Sequence, residues 1–204
     1  MKKISIIGAG GHTRSSLNLL KTHFSLNQLT IYDETYSSDT KELIQAVPVV
    51  GKITNIPKES LVFLSIGDNT KRESLFHSFR NSLIQDSLTH PTTYIEEGVK
   101  IGMANQIFAH VYINSNSSLG DNNIINSGAI LEHEVTVGHH NHISVGARLC
   151  GRVTLGSRCF VGASATIIDK VSVCDDVIIG AGAVVTNNIT QSGTYVGVPA
   201  RKIK

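Results

Sequence analysis

The sequence lacks the residue types that mark several special classes of protein. It has no tryptophan, four prolines, three cysteines and only 17% charged residues. The cysteines (Cys150, Cys159 and Cys174) form no CxxC pair, which is typical of a cytoplasmic protein with reduced thiols. No apolar stretch reaches the length of a membrane-spanning helix or of a signal-peptide core. A net charge of +2 without a basic run argues against nucleic-acid binding.

The first part of the chain, residues 1–92, alternates short apolar runs with segments of helical periodicity. Strands are predicted at residues 3–8, 29–32 and 61–66, a short extra strand at 49–53, and helices at 13–23 and 71–84. This alternation predicts a small parallel α/β sheet, whose ligands would lie beyond the carboxyl ends of its strands. Those ends carry GAGGH at 8–12, Asp33 with Glu34, and Gly67.

The rest of the chain, residues 93–204, follows a period of six. An aliphatic residue recurs at every sixth position without a slip, at Ile95, Ile101, Ile107, Ile113, Leu119, Ile125, Leu131, Val137, Ile143, Leu149, Leu155, Val161, Ile167, Val173, Ile179 and Val185. Such repeats indicate the hexapeptide class of parallel β-helix. Three hexapeptides close one triangular coil around the aliphatic side chains, so residues 18 apart stack in adjacent coils.

Within this repeat, the stretch LEHEVTVGHHNH at 131–142 holds four of the nine histidines. The register places His133 on a turn, outside the aliphatic interior, and its stacked neighbour one coil later is Gly151. A position without a side chain leaves room for a substrate beside the imidazole, and the N–H of Gly151 can point at a carbonyl or its oxyanion. Glu134, with Glu132 as a competing candidate, can orient a general-base imidazole.

Other interpretations of the histidines in this stretch are also possible. A histidine on a turn is often simply solvated, and His139 and His140 are predicted as exposed turn residues. Because His139, His140 and His142 alternate faces, their spacing does not converge on one ion, and no metal is predicted. Cys150 is expected to be structural, since a group that passes directly from donor to acceptor needs no covalent intermediate on the enzyme.

The motifs EHE at 132–134, HISVGA at 142–147, GAGGH at 8–12 and GVPAR at 197–201 resemble those of the PglD-like and NeuD-like bacterial sugar acetyltransferases. The resemblance covers essentially the whole chain. It implies a fold of class α/β plus β-solenoid, with a Rossmann-like nucleotide-sugar-binding domain at 1–92 and a left-handed parallel β-helix at 93–204. It also implies a cytoplasmic homotrimer with its active sites between subunits.

The resemblance further implies roles for individual residues. The general base would be His133 with Glu134 as its support, and acetyl-CoA would be the co-substrate. The donor would contact His142, Gly151, Ala163 and Ala181. The acceptor would contact Gly10, Gly11 and His12 through its sugar or phosphate, Asp33 and Glu34 through its nucleoside, and Gly67 at the third strand end.

The predicted activity is therefore N-acetylation of the 4-amino group of a 4-amino-4,6-dideoxy sugar linked to a nucleotide, with UDP as the expected nucleotide. Two alternatives remain at this stage, O-acetylation of sialic acid or another nonulosonate, and a non-catalytic hexapeptide scaffold. A dinucleotide oxidoreductase is disfavoured, because Thr13 stands where the dinucleotide fingerprint requires its last glycine.

Overall fold

A computed structural model describes residues 2–37 and 42–204, and its internal contacts divide the chain into two compact units, Met1–Leu88 and Thr89–Lys204. The predicted fold class is confirmed, since a small α/β unit with a parallel sheet precedes a left-handed parallel β-helix. In the part of the chain that the structure describes, no helix is long and apolar enough to cross a membrane.

The first unit is built on one five-stranded sheet in the order β3-β4-β2-β1-β5, with all neighbours parallel except β3 and β4. Its elements are β1 (Ile4–Ile7), α1 (Gly11–Leu20), a 3-10 helix (Leu26–Gln28), β2 (Leu29–Tyr32), β3 (Leu43–Ile44), β4 (Val47–Gly51), a second 3-10 helix (Ile53–Asn55), β5 (Leu61–Leu64) and α2 (Asn69–Ser78). The interior strand β1 is buried along its whole length, in keeping with its mostly apolar sequence ISII.

The extra strand and both helices of this unit were predicted with wrong boundaries, and α1 is Gly11–Leu20 instead of 13–23. The extra strand begins at Val47 and ends at Gly51, since Ile53 already starts a 3-10 helix. The second helix ends at Ser78, well before residue 84. Beyond that helix the chain returns to the sheet, where Leu83 forms a parallel bridge with Val62. The apolar residues after Ser78 therefore cover the sheet edge and do not extend the helix.

From Leu88 onward the chain winds through short strands spaced by six residues. They are β6 (Leu88–Thr89), β7 (Tyr94–Ile95), β8 (Lys100–Ile101), β9 (Gln106–Ile107), β10 (Tyr112–Ile113), β11 (Ser118–Leu119), β12 (Ile124–Ile125), β13 (Ile130–Leu131), β14 (Thr136–Val137), β15 (His142–Ile143), β16 (Arg148–Leu149), β17 (Thr154–Leu155), β18 (Phe160–Val161), β19 (Thr166–Ile167), β20 (Ser172–Val173), β21 (Val177–Ile179), β22 (Val184–Val185), β23 (Gly193–Val196) and β24 (Arg201–Lys202).

These strands form the three faces of the β-helix. One face contains β22-β19-β16-β13-β10-β7, a second contains β20-β17-β14-β11-β8, and the third contains β24-β23-β21-β18-β15-β12-β9-β6. Strands three apart pair in parallel with a register of 18 residues, as Leu131 does with Leu149. The aliphatic residue of each hexapeptide points inward, and from Ile107 to Val185 every one of them is less than 5% exposed. The predicted register is thus the observed one.

The corners between the faces place outward side chains by a repeated backbone conformation. At each corner one residue adopts a left-handed conformation, with φ near +60°, at Glu134, His140, Arg152 and Lys170 among others. Non-glycine residues tolerate this conformation at a modest cost, because the surrounding coils hold the backbone in place. The residue before it projects from the corner, and this is the position of His133.

A second corner is held by a ladder of buried asparagines. The Oδ1 atom of Asn105 accepts the backbone N–H of Asn123 at 2.8 Å, and Oδ1 of Asn123 accepts that of Asn141 at 2.8 Å. Oδ1 of Asn141 in turn accepts the N–H of Cys159 at 2.7 Å. The ladder satisfies backbone donors that the corner turns remove from the sheet hydrogen bonds.

Candidate active site

His133 lies on the corner between β13 and β14, outside the apolar core. Its side chain is 44% exposed, and the backbone carbonyl accepts the N–H of Arg152 from the next coil at 2.9 Å. The buried Leu131 and Val135 on either side anchor the corner in the interior. The core thus fixes the backbone of His133 while its imidazole remains accessible.

Gly151 faces this imidazole from the next coil. A Cβ atom at position 151 would lie 2.6 Å from both Cε1 and Nε2 of His133, closer than real Cβ contacts. Any side chain there would collide with the ring, so glycine is required for the observed packing. The imidazole therefore presents its Cε1–Nε2 edge to a position that is free of side-chain atoms.

The backbone of Gly151 adds a hydrogen-bond donor to this position. At this corner of the β-helix, residues with positive φ in successive coils donate their backbone N–H groups to the previous coil. Those of Glu134 and Arg152 donate to Ser115 and His133 at 3.0 and 2.9 Å. Within residues 2–37 and 42–204, no acceptor takes the N–H of Gly151. An unpaired amide beside a histidine is a suitable donor for a developing oxyanion.

Two glutamates flank His133, and the structure distinguishes them. Oε2 of Glu134 lies 3.3 Å from Nδ1 of His133, whereas Oε2 of Glu132 accepts a hydrogen bond from Nδ2 of Asn114 at 2.8 Å. When Nδ1 carries a proton and donates it to Glu134, Nε2 holds the free lone pair of a base. This lone pair lies on the ring edge that faces Gly151.

Sequence reasoning missed two charged residues at the same corner. Asp169 follows Gly151 in the column, and its Oδ1 atom would lie 3.0 Å from a Cβ at position 151. Arg152 binds this carboxylate through Nη2, at 2.9 Å from Oδ1 and 3.0 Å from Oδ2. The spacing of 18 residues that pairs His133 with Gly151 also predicts Asp169, so the signal was present in the sequence.

The half-buried Cys150 precedes Gly151 in the chain. Burial and the nearby carboxylates of Glu132 and Asp169 raise the pKa of its thiol, although Arg148 opposes the shift. A raised pKa keeps sulfur protonated and lowers its nucleophilicity at neutral pH. A role for Cys150 as a thiolate nucleophile is therefore disfavoured.

The other histidines of the stretch occupy different environments. His139 is exposed, as predicted, and its Nδ1 accepts the N–H of Asp121 at 2.9 Å. The prediction that His140 is exposed is wrong, because the residue is only 6% exposed and its Nδ1 lies 2.8 Å from Nδ2 of the stacked Asn122. His142 is also buried, on β15, with its ring edge-on to Phe160 at a centroid distance of 5.1 Å.

Three of the residues predicted to bind the acetyl donor lie away from His133 in the same chain. Ala163 and Ala181 are stacked on the corner that follows the β15–β18 face, where the N–H of Gly182 donates to Ala163 at 2.8 Å, and both alanines are exposed. His142 lies on that face itself. Only Gly151 of the predicted donor residues shares the corner of His133.

In the first unit, the glycine loop leads from β1 into α1. The Oγ1 atom of Thr13 donates to the carbonyl of Gly8 at 2.7 Å, which holds the turn closed. Gly10 is the N-cap of α1 and Gly11 its first residue, followed by His12, and a Cβ on either glycine would meet no atom within 4 Å. The N-terminus of α1 thus faces open space, as an anion site requires.

The predicted nucleoside residues lie at neighbouring strand ends. Oδ2 of Asp33 accepts the N–H of Ala9 at 2.7 Å, which joins the end of β2 to the glycine loop. Burial alone would raise the pKa of Asp33, but hydrogen bonds from Thr35 and Ala9 lower it overall. Glu34 forms an ion pair with Nζ of Lys71 at 2.7 Å, and this pair connects the end of β2 to the first turn of α2.

Gly67 lies between β5 and α2, and its environment shows a further residue that the sequence pattern did not reveal. Arg72 is fully buried, and its Nη1 donates to the carbonyls of Ile66 and Gly67 at 3.1 and 3.3 Å while Nη2 donates to Asn69 at 2.8 Å. Burial lowers the pKa of Arg72 to about 9. Arg72 thus fixes the loop that carries Gly67.

Two family models match the chain, the PglD N-terminal domain at residues 3–79 and the bacterial transferase hexapeptide (six repeats) at residues 152–187. The comparison with curated proteins gave no match. Solved structures match over the whole chain. PerB from Caulobacter crescentus, in complex with CoA and GDP-perosamine, is 31% identical, with a TM-score of 0.88 over 100% of this chain and 98% of PerB.

Two further solved structures are similar over almost their full length. The acetyltransferase domain of PglB from Neisseria gonorrhoeae FA1090, in complex with acetyl coenzyme A, is 25% identical, with 99% of each chain covered and a TM-score of 0.85. A mutant of GDP-perosamine N-acetyl transferase from Caulobacter crescentus is 27% identical, with 100% and 98% covered and a TM-score of 0.77. The chain therefore belongs to the PglD-like family of acetyl-CoA-dependent bacterial sugar acetyltransferases.

Proposed function

We propose that the protein transfers the acetyl group of acetyl-CoA to the 4-amino group of a nucleotide-linked 4-amino-4,6-dideoxy sugar. The observation that carries the proposal is the contact of His133 with Gly151. A base edge faces a position without side-chain atoms, and an unpaired amide lies at the same position. The similarity to PerB, whose structure holds CoA and GDP-perosamine, supports this choice of substrates.

In the proposed mechanism Nε2 of His133 takes a proton from the sugar amine as its nitrogen attacks the thioester carbonyl. The new C–N bond forms, the carbonyl electrons collect on oxygen, and the C–S bond then breaks. The leaving thiolate receives the proton that His133 took. Glu134, 3.3 Å from Nδ1, stabilises the imidazolium between these two steps.

The oxyanion of this step would be bound by the N–H of Gly151. The amide is held by the backbone on both sides, since the carbonyl of Cys150 in the same peptide group accepts the N–H of Val153 at 3.3 Å and the next residue, Arg152, donates to His133 at 2.9 Å. A donor that is fixed before the reaction stabilises the developing charge without a reorganisation cost. Removal of one oxyanion-hole donor, a side-chain amide, costs about 3 kcal/mol in another enzyme.

The proposal includes a homotrimer with its active sites between subunits. His133 and Gly151 lie on one corner of the β-helix, and Ala163 and Ala181 on another. One acetyl-CoA lying between two copies of the chain would contact one set on each copy. Two faces of adjacent β-helices would then form the groove for the donor, with His142 beside it.

The acceptor would be held by the strand ends of the first unit. The N-terminus of α1, at Gly10, Gly11 and His12, suits the diphosphate, because a Cβ on either glycine would meet open space and the helix dipole favours negative charge. Asp33 and Glu34 would contact the nucleoside, and Gly67 would line the site. We propose UDP as the nucleotide. GDP is the second candidate, because the similar PerB structure contains GDP-perosamine.

The test is thiol release from acetyl-CoA with a panel of acceptors. The panel contains UDP-, GDP- and dTDP-linked 4-amino-4,6-dideoxy sugars, free sialic acid and CMP-sialic acid. We expect rapid release with one amino sugar, an amide in the product, and a preference for UDP. Release only with a sialic acid would replace the proposal with O-acetylation. If no acceptor promoted release, the proposed substrate class would be wrong.

A further inference from the structure

One position above Gly151 is bounded by two groups that accept hydrogen bonds. Nε2 of His133 and Oδ1 of Asp169 both lie within 3.0 Å of the place that a Cβ of residue 151 would occupy. They approach it from opposite directions along the column, because His133 belongs to the coil before Gly151 and Asp169 to the coil after it. That place is too close to the Cα of Gly151 for a substrate atom, but an atom in van der Waals contact with this Cα on the same side would lie near both the imidazole and the carboxylate.

The carboxylate of Asp169 is held in place and keeps capacity for a further hydrogen bond. Arg152 binds both of its oxygens through Nη2, and Nε adds a contact of 3.3 Å to Oδ1. Nζ of Lys170 lies 3.9 Å from Oδ2. Each carboxylate oxygen offers two lone-pair positions, so a neighbouring donor can bind Oδ1 by replacing the long contact from Nε, while Nη2 keeps both oxygens in place. The side chain is 45% exposed and can be reached from solvent.

A neutral amine has the hydrogens that this arrangement requires. During attack its lone pair points at the thioester carbon, and its two remaining substituent positions carry hydrogen. One hydrogen goes to Nε2 of His133, which removes it as a proton. The other remains on nitrogen and becomes the N–H of the amide product, and it can be donated to Oδ1 of Asp169 throughout the step.

We infer that Asp169 is a specificity-determining residue that selects an amine over a hydroxyl as the acetyl acceptor. A hydroxyl that gives its single hydrogen to His133 presents a lone pair to the carboxylate, and the two repel. An amine in the same place gains a charge-assisted hydrogen bond. Such a bond corresponds to about a 10- to 100-fold change in rate. This inference rests on the proposed function, because it concerns the acceptor of the same reaction.

The experiment compares Asp169→Ala with Asp176→Ala as a matched control. Asp176 also pairs with an arginine of the previous coil, Arg158, at 2.7 Å, but on a different corner. Both variants remove an exposed ion pair, so their melting temperatures should change by similar small amounts. The measured quantities are kcat/KM for the 4-amino sugar and the inhibition constant of its 4-hydroxy analogue, with the same nucleotide.

We expect Asp169→Ala to lower kcat/KM for the amine about 10- to 100-fold, with the hydroxy analogue bound as well as before or more tightly. Asp176→Ala should change neither quantity more than about threefold. Asp169→Asn, which keeps the shape but is a weaker acceptor, should give a smaller loss than Asp169→Ala. If Asp169→Ala does not fold, the same two quantities measured on Asp169→Asn test the inference.

Two results would overturn the inference. One is a kcat/KM for the amine that changes less than threefold in both Asp169 variants. The other is an equal loss for amine turnover and for binding of the hydroxy analogue, which would show a general role in sugar binding. Failure of the proposed function is distinguishable, because the wild-type protein would then acetylate no amino sugar. In that case the inference falls with it.

Discussion

The imidazole of His133 lies against the backbone of Gly151, with Nε2 and Cε1 each 2.6 Å from where a Cβ would be. The contact joins residues 18 apart in the chain, so it exists only because the β-helix keeps its register from one coil to the next. It places the Cε1–Nε2 edge of the histidine beside Gly151, whose backbone N–H has no acceptor among the described residues.

Gly151→Ala should therefore displace the imidazole. We expect kcat to fall at least about 100-fold, because a misplaced base loses most of its contribution to the rate. The melting temperature should fall only slightly, because the exposed ring can rotate away from the new methyl group. The matched control is Gly151→Ala in a His133→Ala background, where the collision partner is gone. If the glycine substitution lowered the melting temperature equally in both backgrounds, the close packing would not be its cause.

The two glutamates beside His133 can be separated by substitution. Glu134→Gln removes the charge 3.3 Å from Nδ1 and should lower kcat at least about 10-fold, since the imidazolium loses its counter-charge. Glu132→Gln is the control, because its carboxylate binds Asn114 and should change kcat less than about threefold. The measurement is thiol release at saturating acetyl-CoA. A larger loss in Glu132→Gln would assign the supporting role to Glu132.

The asparagine ladder should stabilise the fold without affecting the chemistry. Asn123→Ala leaves the buried N–H of Asn141 without its acceptor, which costs about 1–3 kcal/mol of unfolding free energy. Asn187→Ala, at an exposed position, is the control and should cost less than about 0.5 kcal/mol. Denaturant unfolding measures both. An equal stability of the two variants would show that the ladder contributes nothing.

Asp33 should make the stability of the protein depend on acid pH. Its folded pKa is lower than the usual value of 3.8, because hydrogen bonds from Thr35 and Ala9 outweigh the effect of burial. The stabilisation is therefore complete above the unfolded pKa and is lost as pH falls through the folded pKa. Asp33→Asn should reduce the difference in melting temperature between pH 6 and pH 3. An unchanged difference would contradict the assignment.

The β-helix could be predicted from the sequence because its packing repeats. Each interior position needs an aliphatic side chain of similar size, so the period of six reports the register directly, and Leu131 and Leu149 stack as the pattern requires. The α/β unit has no such repeat. The boundary of α2 was wrong because apolar residues after Ser78, such as Leu83, pack on the sheet edge and mimic a continuing helix.

The candidate site was predictable only in part. The repeat register leads from His133 to Gly151, and one further step leads to Asp169. That carboxylate went unnoticed because an Asp–Lys pair on a turn looks like ordinary solvated surface. The burial of His140 was missed because it depends on a side-chain contact with Asn122 in the stacked coil. The spacing of 18 residues pairs the two positions, but it does not indicate whether a side chain on a corner is buried.

The central claim is that His133 is the base of an amine acetyltransferase. The most direct measurement is turnover of acetyl-CoA and the preferred 4-amino nucleotide sugar by His133→Ala, with His139→Ala as the control. Both histidines are exposed corner residues, so both variants should melt within a few degrees of the wild type. We predict a loss of about 100- to 10,000-fold in kcat for His133→Ala and less than threefold for His139→Ala. Normal turnover by a folded His133→Ala variant would contradict the account.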